Sequence, residues 1–356
     1  MVRGFKGTSF TVAVMMLLAL FAAEGARAQP AHARPASGLF FPLYDARPNK
    51  GTLITVTNIN DSRTSCQNSF RNGDVCVHYV YYDSQSNDCL STDRTECLTP
   101  GDTLTVVASK HNPNITKGWL WVEARDPETM LPINFNYLVG SAIVISTAEG
   151  QEDTDFLWSY TPYAFRAVDY DGDASRCGHK IVDKTSSGVG DDGTLFADFD
   201  GIEYETFPST LYVDNFFAEN DPNFDVDNRV FVMVPDGFGG NNFNLSLLFF
   251  DNDETEFSAS RSIGCFLDKS LSELSTIVFK DNLAATSVNE LPHPTMPGVY
   301  VYTGWVRIQV RSGIQTVGSL GVFFQQTDVD SAGGHELQFQ GSADIPVSLF
   351  REDLIP

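Results

Sequence analysis

Two stretches of this chain carry the same landmarks in the same order, and that repetition limits the fold more than any single motif does. The run Val77-His78-Tyr79-Val80-Tyr81-Tyr82 ends at Asp83, and Cys97 follows 14 residues later. The run Asn244-Leu245-Ser246-Leu247-Leu248-Phe249-Phe250 ends at Asp251, and Cys265 again follows 14 residues later. Upstream, Leu53-Ile54-Thr55-Val56 matches Val230-Phe231-Val232-Met233; downstream, Thr116-Lys117-Gly118-Trp119 matches Tyr302-Thr303-Gly304-Trp305. A chain built this way is expected to use one β unit twice.

Alternation gives the unit its class. Ile54 and Val56 alternate with Thr55 and Thr57, Leu104 and Val106 with Thr103 and Thr105, and Val306, Ile308 and Val310 with Arg307, Gln309 and Arg311. Each pattern reads as a strand with one buried and one wet face. Turn clusters such as Asn72-Gly73-Asp74, Pro100-Gly101-Asp102 and Pro235-Asp236-Gly237 separate the runs, which suits antiparallel sheets better than parallel ones with crossover helices. The expectation is an all-β chain of two tandem antiparallel β-sandwich domains, immunoglobulin-like or jelly-roll-like, related by internal duplication. Leu267 to Leu274 is the one helical candidate.

The first 28 residues read as a cleaved export signal. Arg3 and Lys6 give a positive start, Phe10 to Ala23 an apolar stretch, and Ala26-Arg27-Ala28 a cleavage site. The expected order is then a signal peptide over 1–28, a linker over 29–37, a first sandwich over 38–165, an acidic connecting segment over 166–209 and a second sandwich over 210–356. Nothing after the signal approaches the roughly 20 apolar residues of a membrane span, so the chain is expected in the periplasm or outside the cell. Removing the signal takes three basic residues and one acidic one from a chain of net charge −23, leaving −25. That balance argues against nucleic acid or an anionic membrane as partner, because both select cationic patches.

Six cysteines in an exported chain read as disulfides, and six allow 15 connectivities. The economical pairing joins Cys66 to Cys76 and Cys89 to Cys97 across local loops and uses Cys177 with Cys265 to tie the connecting segment to the second domain. No C-x-x-C pair occurs, so zinc is disfavoured.

Aspartates recur two apart in turn-like contexts, and calcium takes six to eight oxygen ligands from such loops. Asp169, Asp171 and Asp173 around Gly172 form the leading candidate, with Asp251 and Asp253 second; the plainer reading is solvated acidic turns. Trp119, Trp121 and Trp305 alternate away from the apolar residues beside them, so they are candidates for an exposed ligand-binding platform, for a surface polysaccharide or a protein partner. The plainer reading covers them with a loop or the adjoining domain. No H-E-x-x-H, G-x-S-x-G or G-x-x-x-x-G-K occurs. Glu203 and Glu205 share a face of Ile202 to Phe207 and are the pair to inspect for glycoside cleavage; alternate acidic residues more commonly line a wet edge. The function expected is therefore a non-enzymatic binding or surface-structural protein, with calcium as the candidate stiffener of its loops. A secreted carbohydrate-active protein is the alternative. Self-association through open strand edges is a third reading.

Overall fold

The computed structural model describes residues 33–60, 73–84, 89–146, 156–168, 179–180, 196–222, 226–235, 243–287, 291–292, 297–327 and 332–350. The leader, Cys66, Cys177 and the Asp169, Asp171 and Asp173 cluster lie outside the described residues. No helix among the described residues is long and apolar enough to cross a membrane.

The chain is all-β and its main sheets are antiparallel. The first half supplies β1 (Gly38–Asp45), β2 (Lys50–Asn58), β3 (Val75–Asp83), β4 (Ser91–Leu98), β5 (Thr103–Val107), β6 (Lys117–Arg125), the short β7 (Ile133–Asn134), β8 (Leu138–Ser146), β9 (Phe156–Tyr160) and β10 (Tyr163–Phe165). Two pieces follow, β11 (His179–Lys180) and β12 (Phe196–Phe199). The second half supplies β13 (Pro208–Phe217), β14 (Val226–Met233), β15 (Phe243–Asp251), β16 (Glu256–Ile263), β17 (Phe266–Ser270), the short β18 (Leu291–Pro292) and β19 (Tyr300–Val301), then β20 (Thr303–Ser312) and β21 (Gln315–Val317). It ends with β22 (Leu320–Thr327), β23 (Ala332–Glu336), β24 (Gln338–Ser342) and β25 (Val347–Phe350).

Strand orders correspond position for position. The first half forms sheets β10-β1-β6-β3-β4 and β5-β2-β8-β9; the second forms β24-β13-β20-β15-β16 and β17-β14-β22-β23. Irregularities recur as well: β1 slips register against β6 between Phe41 and Tyr44, and β13 slips against β20 between Val213 and Phe216. Gly118 faces Asp83, and Gly304 faces Asp251. A Cβ at either glycine would run into a backbone carbonyl of the neighbouring strand, that of Tyr82 or of Phe250. Tyr82 stacks on Trp119 at 3.8 Å and 13°, and Phe250 on Trp305 at 3.9 Å and 7°.

Two of the landmark matches need correction. Inward residues of β2 are Ile54 and Val56, whereas those of β14 are Val230 and Val232, with Phe231 on the opposite face. Ile54 therefore corresponds to Val230 and not to Phe231, because a one-residue shift in a strand exchanges its faces. The equal spacing to the two cysteines is also not a structural match. Tyr82 pairs with Ser91 and Phe250 with Glu256, which sets Cys97 opposite in role to Ser262; Cys265 lies beyond the end of β16.

The disulfides differ from the expected set. Cys76 and Cys97 face each other on β3 and β4 with Cα atoms 3.9 Å apart and are bonded, while Cys89 bonds Cys265 with Cα atoms 6.2 Å apart. The cross-strand register consumes Cys76 and Cys97 together, so Cys89, in the loop that joins β3 to β4, reaches the second half of the chain. The helical candidate is half right: β17 occupies Phe266–Ser270, and the helix is Leu271–Leu274, begun by Ser270 and Glu273 in a capping box. Further helices are Ala108–His111, directly after β5, and Lys280–Thr286, between β17 and β18.

The halves do not keep separate interiors. One core lies between the first pair of sheets but also takes in Phe231, Val322 and Phe324 from the second half. Val230, Val232 and Phe323 point the other way, into the core of the second half. The sheet carrying β14 and β22 is thus apolar on both faces there. A third cluster covers the outer face of β1 and β6: Phe40, Trp119, Trp121 and Phe165 meet Phe199, Tyr204 and Phe207 of the connecting segment and Val347 and Leu349 of β25. β12 pairs with β25, so the described end of the connecting segment is a buried cover and not an acidic tether.

Candidate functional site

Where the halves meet, a cleft of about 270 Å³ is lined by residues of both. From the first half come Asp45 at the end of β1, Arg47 and Lys50 around the following turn, Lys117 at the start of β6, and Trp158 of β9. From the second come Asp227, Arg229 and Phe231 of β14 with Phe324 and Gln326 of β22. Period-two geometry places the latter group together. Asp227, Arg229 and Phe231 share one face of β14, and β22 sets Gln326 opposite Asp227 and Phe324 opposite Arg229. Trp158 leans on Phe324 at 5.3 Å between ring centres.

Charges in the cleft are held in fixed pairs. Arg47 grips Asp45 with both arms, Nε to Oδ1 at 2.9 Å and Nη2 to Oδ2 at 2.6 Å. The hydrogen bond and charge of Asp45 raise the Arg47 pKa further above its usual value. Lys50 Nζ donates to Ser146 Oγ at 2.5 Å. Asp268, on β17 directly across from Phe231, takes Lys117 from the first half and Arg229 Nε at 2.5 Å from its own half. Burial pushes the Asp268 carboxyl up, but the two cations overcome it and hold it below the usual carboxylate range. Lys117 Nζ also sits 5.2 Å above the Phe231 ring, a cation–π contact across the junction. This packing leaves four cations and three carboxylates around an aromatic floor. Such a set can bind and orient a polar ring; among the described residues lining it, no nucleophile is aligned with a base.

The sequence-derived candidates lie elsewhere. Trp119 and Trp121 are 0% and 2% exposed, so neither offers a face to solvent. The third core explains why: Phe40 lies 4.4 Å from Trp121, and Tyr204 meets the same ring edge-on at 5.7 Å. Trp305 is half-buried against Phe250, with Tyr212 at 6.2 Å. Asp251 and Asp253 occupy the β15–β16 turn. Asp251 Oδ1 accepts from the backbone N–H groups of Asp253 and Thr255 at 2.9 and 2.8 Å, which is turn-forming work, and Ser287 Oγ donates to Asp253 Oδ2 at 3.1 Å. Among the described residues no three His, Cys, Asp or Glu side chains gather as a metal set.

Glu203 and Glu205 are buried, not on a wet edge. Glu203 accepts from the Asp198 N–H at 3.3 Å, and Glu205 accepts from the Arg166 N–H at 2.9 Å and pairs with Arg34. Burial raises the Glu205 carboxyl despite those partners. Both side chains are spent on holding the cover segment. The cleft itself was missed because its parts, such as Arg47 and Arg229, lie far apart in the chain; of its lining only Lys117 and Phe231 had been named beforehand, as landmarks of the repeat.

No protein-family model and no curated protein matches the chain. Among solved structures it is similar to one described as Thermotoga maritima 1070, at 12% identity, over 36% of this chain and 95% of that one, with a TM-score of 0.25. A likeness of that depth says nothing about activity.

Proposed function

We propose that the chain is an exported, non-enzymatic binding protein. In this reading two β-sandwich units arose by internal duplication and are clamped together to shape one cleft between them. The observation that carries it is the composition of that cleft: aromatic floor and paired charges come from both halves, and neither half contains the site alone. Matching strand orders and matching register slips support the duplication. Export is supported by the leader pattern of residues 1–28 and by the two disulfides, which persist in oxidising compartments. A surface-structural role, in which the cleft is incidental, makes the opposite prediction in the same assay.

Thermal unfolding of the mature protein is followed against a panel of small organic acids, sugars and amino acids. A ligand should raise the midpoint, because anything that binds only the native state stabilises it. Gln326→Trp, which fills the cleft from its rim, should abolish the effect. If no member of a broad panel moves the midpoint, the binding reading fails.

A second reading has one observation in its favour. Trp305 remains half-exposed beside Tyr212 and Arg307, so a carbohydrate platform survives at that one of the three expected tryptophans. Retention on polysaccharide that persists in Trp305→Ala would defeat it. Calcium stays a proposal for the acidic turns. An unchanged midpoint at millimolar calcium, in protein first stripped by chelator, would remove it.

A further inference from the structure

We propose that the free edge of β4 pairs with the β4 of a second copy of this chain, antiparallel and centred on Thr95, so that two five-stranded sheets run on as one. This goes beyond the cleft, which contains no residue of β4. β4 ends the sheet β10-β1-β6-β3-β4 and has β3 as its one neighbour among the described residues. From Asp93 to Cys97 every residue of the strand is exposed. The ladder fixes which of its main-chain groups are free. Asp83 N–H donates to the Leu90 carbonyl at 2.8 Å, and Tyr82 stands opposite Ser91. Alternation then turns the backbone of Thr92, Arg94, Glu96 and Leu98 toward β3 and that of Ser91, Asp93, Thr95 and Cys97 outward, where an incoming strand can be bonded.

The charges of the strand choose its partner and its register. Charged residues on an edge commonly keep other strands away, and opposite charges directly across two strands attract where like charges repel. A two-fold axis normal to a sheet sets each residue against one whose number differs from its own by zero or an even amount. Centred on Thr95, the axis overlaps all of Thr92 to Leu98 and sets Arg94 against Glu96 of the second copy and Glu96 against its Arg94. Centred on Asp93, Arg94 or Glu96, it would set that residue against itself, like charge on like. Centred on Thr92 or Cys97, only a short stretch of the strand overlaps, and neither Arg94 nor Glu96 meets an opposite charge. Both side chains are placed to reach out. Glu96 is 48% exposed, 3.6 Å from His111 Nε2, and Arg94 gives Nε to the His111 carbonyl at 3.0 Å, with its terminal nitrogens at the outer end of the planar fork. β16 holds the equivalent edge in the second half, but its charges Glu256 and Arg261 lie five apart, an odd spacing that no such axis can oppose, and Arg261 is turned back onto the Leu274 carbonyl at 2.8 Å.

Sedimentation of the full mature protein across the micromolar range tests the assignment. One added strand is a small interface of the weak, transient class, so the wild-type chain should pass from monomer to dimer as its concentration rises. Thr95→Pro removes an outward donor without touching the ladder to β3, and should leave a monomer that still unfolds cooperatively. Arg94→Glu and Glu96→Arg should each weaken the dimer by about tenfold or more. The double variant Arg94→Glu/Glu96→Arg should regain wild-type association, because exchanging the charges restores opposite signs across the axis. A wild-type chain that stays monomeric throughout overturns the proposal, as does a dimer that survives Thr95→Pro. So does a dimer indifferent to both single charge changes, or one that the double variant fails to restore. Should Thr95→Pro not fold, the loss and recovery across the charge series decide alone.

Discussion

Removing the Cys89–Cys265 disulfide should destabilise the protein more than removing Cys76–Cys97, although the second sits in a regular sheet and the first joins an irregular loop. The bonds close segments of 176 and 21 residues. On the chain-entropy account a cross-link stabilises by restricting the unfolded ensemble, with an entropy that grows as the logarithm of the closed segment. At 25 °C this amounts to about 5 kcal/mol for the long closure and about 3 kcal/mol for the short one. Loss of the sulfur atoms adds a similar packing term to each, so the difference of about 2 kcal/mol is the quantity to measure. The Cys89→Ala/Cys265→Ala and Cys76→Ala/Cys97→Ala double variants would be unfolded in urea and followed by tryptophan fluorescence. The midpoint of the first should lie well below that of the second, and its urea dependence should steepen as the unfolded chain expands. Equal losses, or a larger loss from the short closure, would refute the reasoning. They would mean that the halves are held mainly by native contacts, which the cross-link merely follows.

Two further outcomes follow from named contacts. Gly118→Ala or Gly304→Ala should cost about 1–3 kcal/mol or more, because the new methyl meets a fixed carbonyl of the neighbouring strand. Gly264→Ala, with open space around its Cβ, should stay within about 0.5 kcal/mol of the parent; urea midpoints that fail to separate the three would sink the claim. Asp268 has a folded pKa held below its unfolded value. Its contribution is present above the unfolded pKa and is lost as pH falls through the folded one. Asp268→Asn should therefore destabilise the protein at neutral pH by up to about 3 kcal/mol, read as a lower thermal midpoint, since Lys117 is left buried without this partner. The gap should close on acidification, and a gap independent of pH would count against the ion pair.

Strand identity was legible where one face is wet. Thr55 and Thr57 do face outward from β2, where they hydrogen-bond Thr105 and Thr103 at 2.9 Å, and the alternation of Leu245, Leu247 and Phe249 gives the inward face of β15. It failed where both faces are buried. Val230-Phe231-Val232-Met233 has no polar alternation to fix its parity, which is how the match to Ile54 slipped by one. Trp119 and Trp121 illustrate the same limit. Alternation placed them correctly away from the first core, but period-two reasoning cannot tell solvent from a second apolar layer, and the residues that cover them lie about 80 positions later in the chain. The cleft is the extreme case, since Arg47 and Arg229 become neighbours only after both halves have formed and docked.

The sheet of β14 and β22 has a consequence for how the halves can change. Thr55 and Phe231 hold the same place in their strands, yet one hydrogen-bonds a threonine in water and the other closes its neighbour's interior. Strands in matching places thus carry unequal duties. Residues 210–356 taken alone would leave Phe231, Val322 and Phe324 uncovered, and the first half without them would lose one wall of its interior. Mutational drift at Phe231, Val322 and Phe324 is therefore limited by the interior of the other half, so these positions should tolerate fewer alternatives than their counterparts on the wet face of the sheet that carries β2.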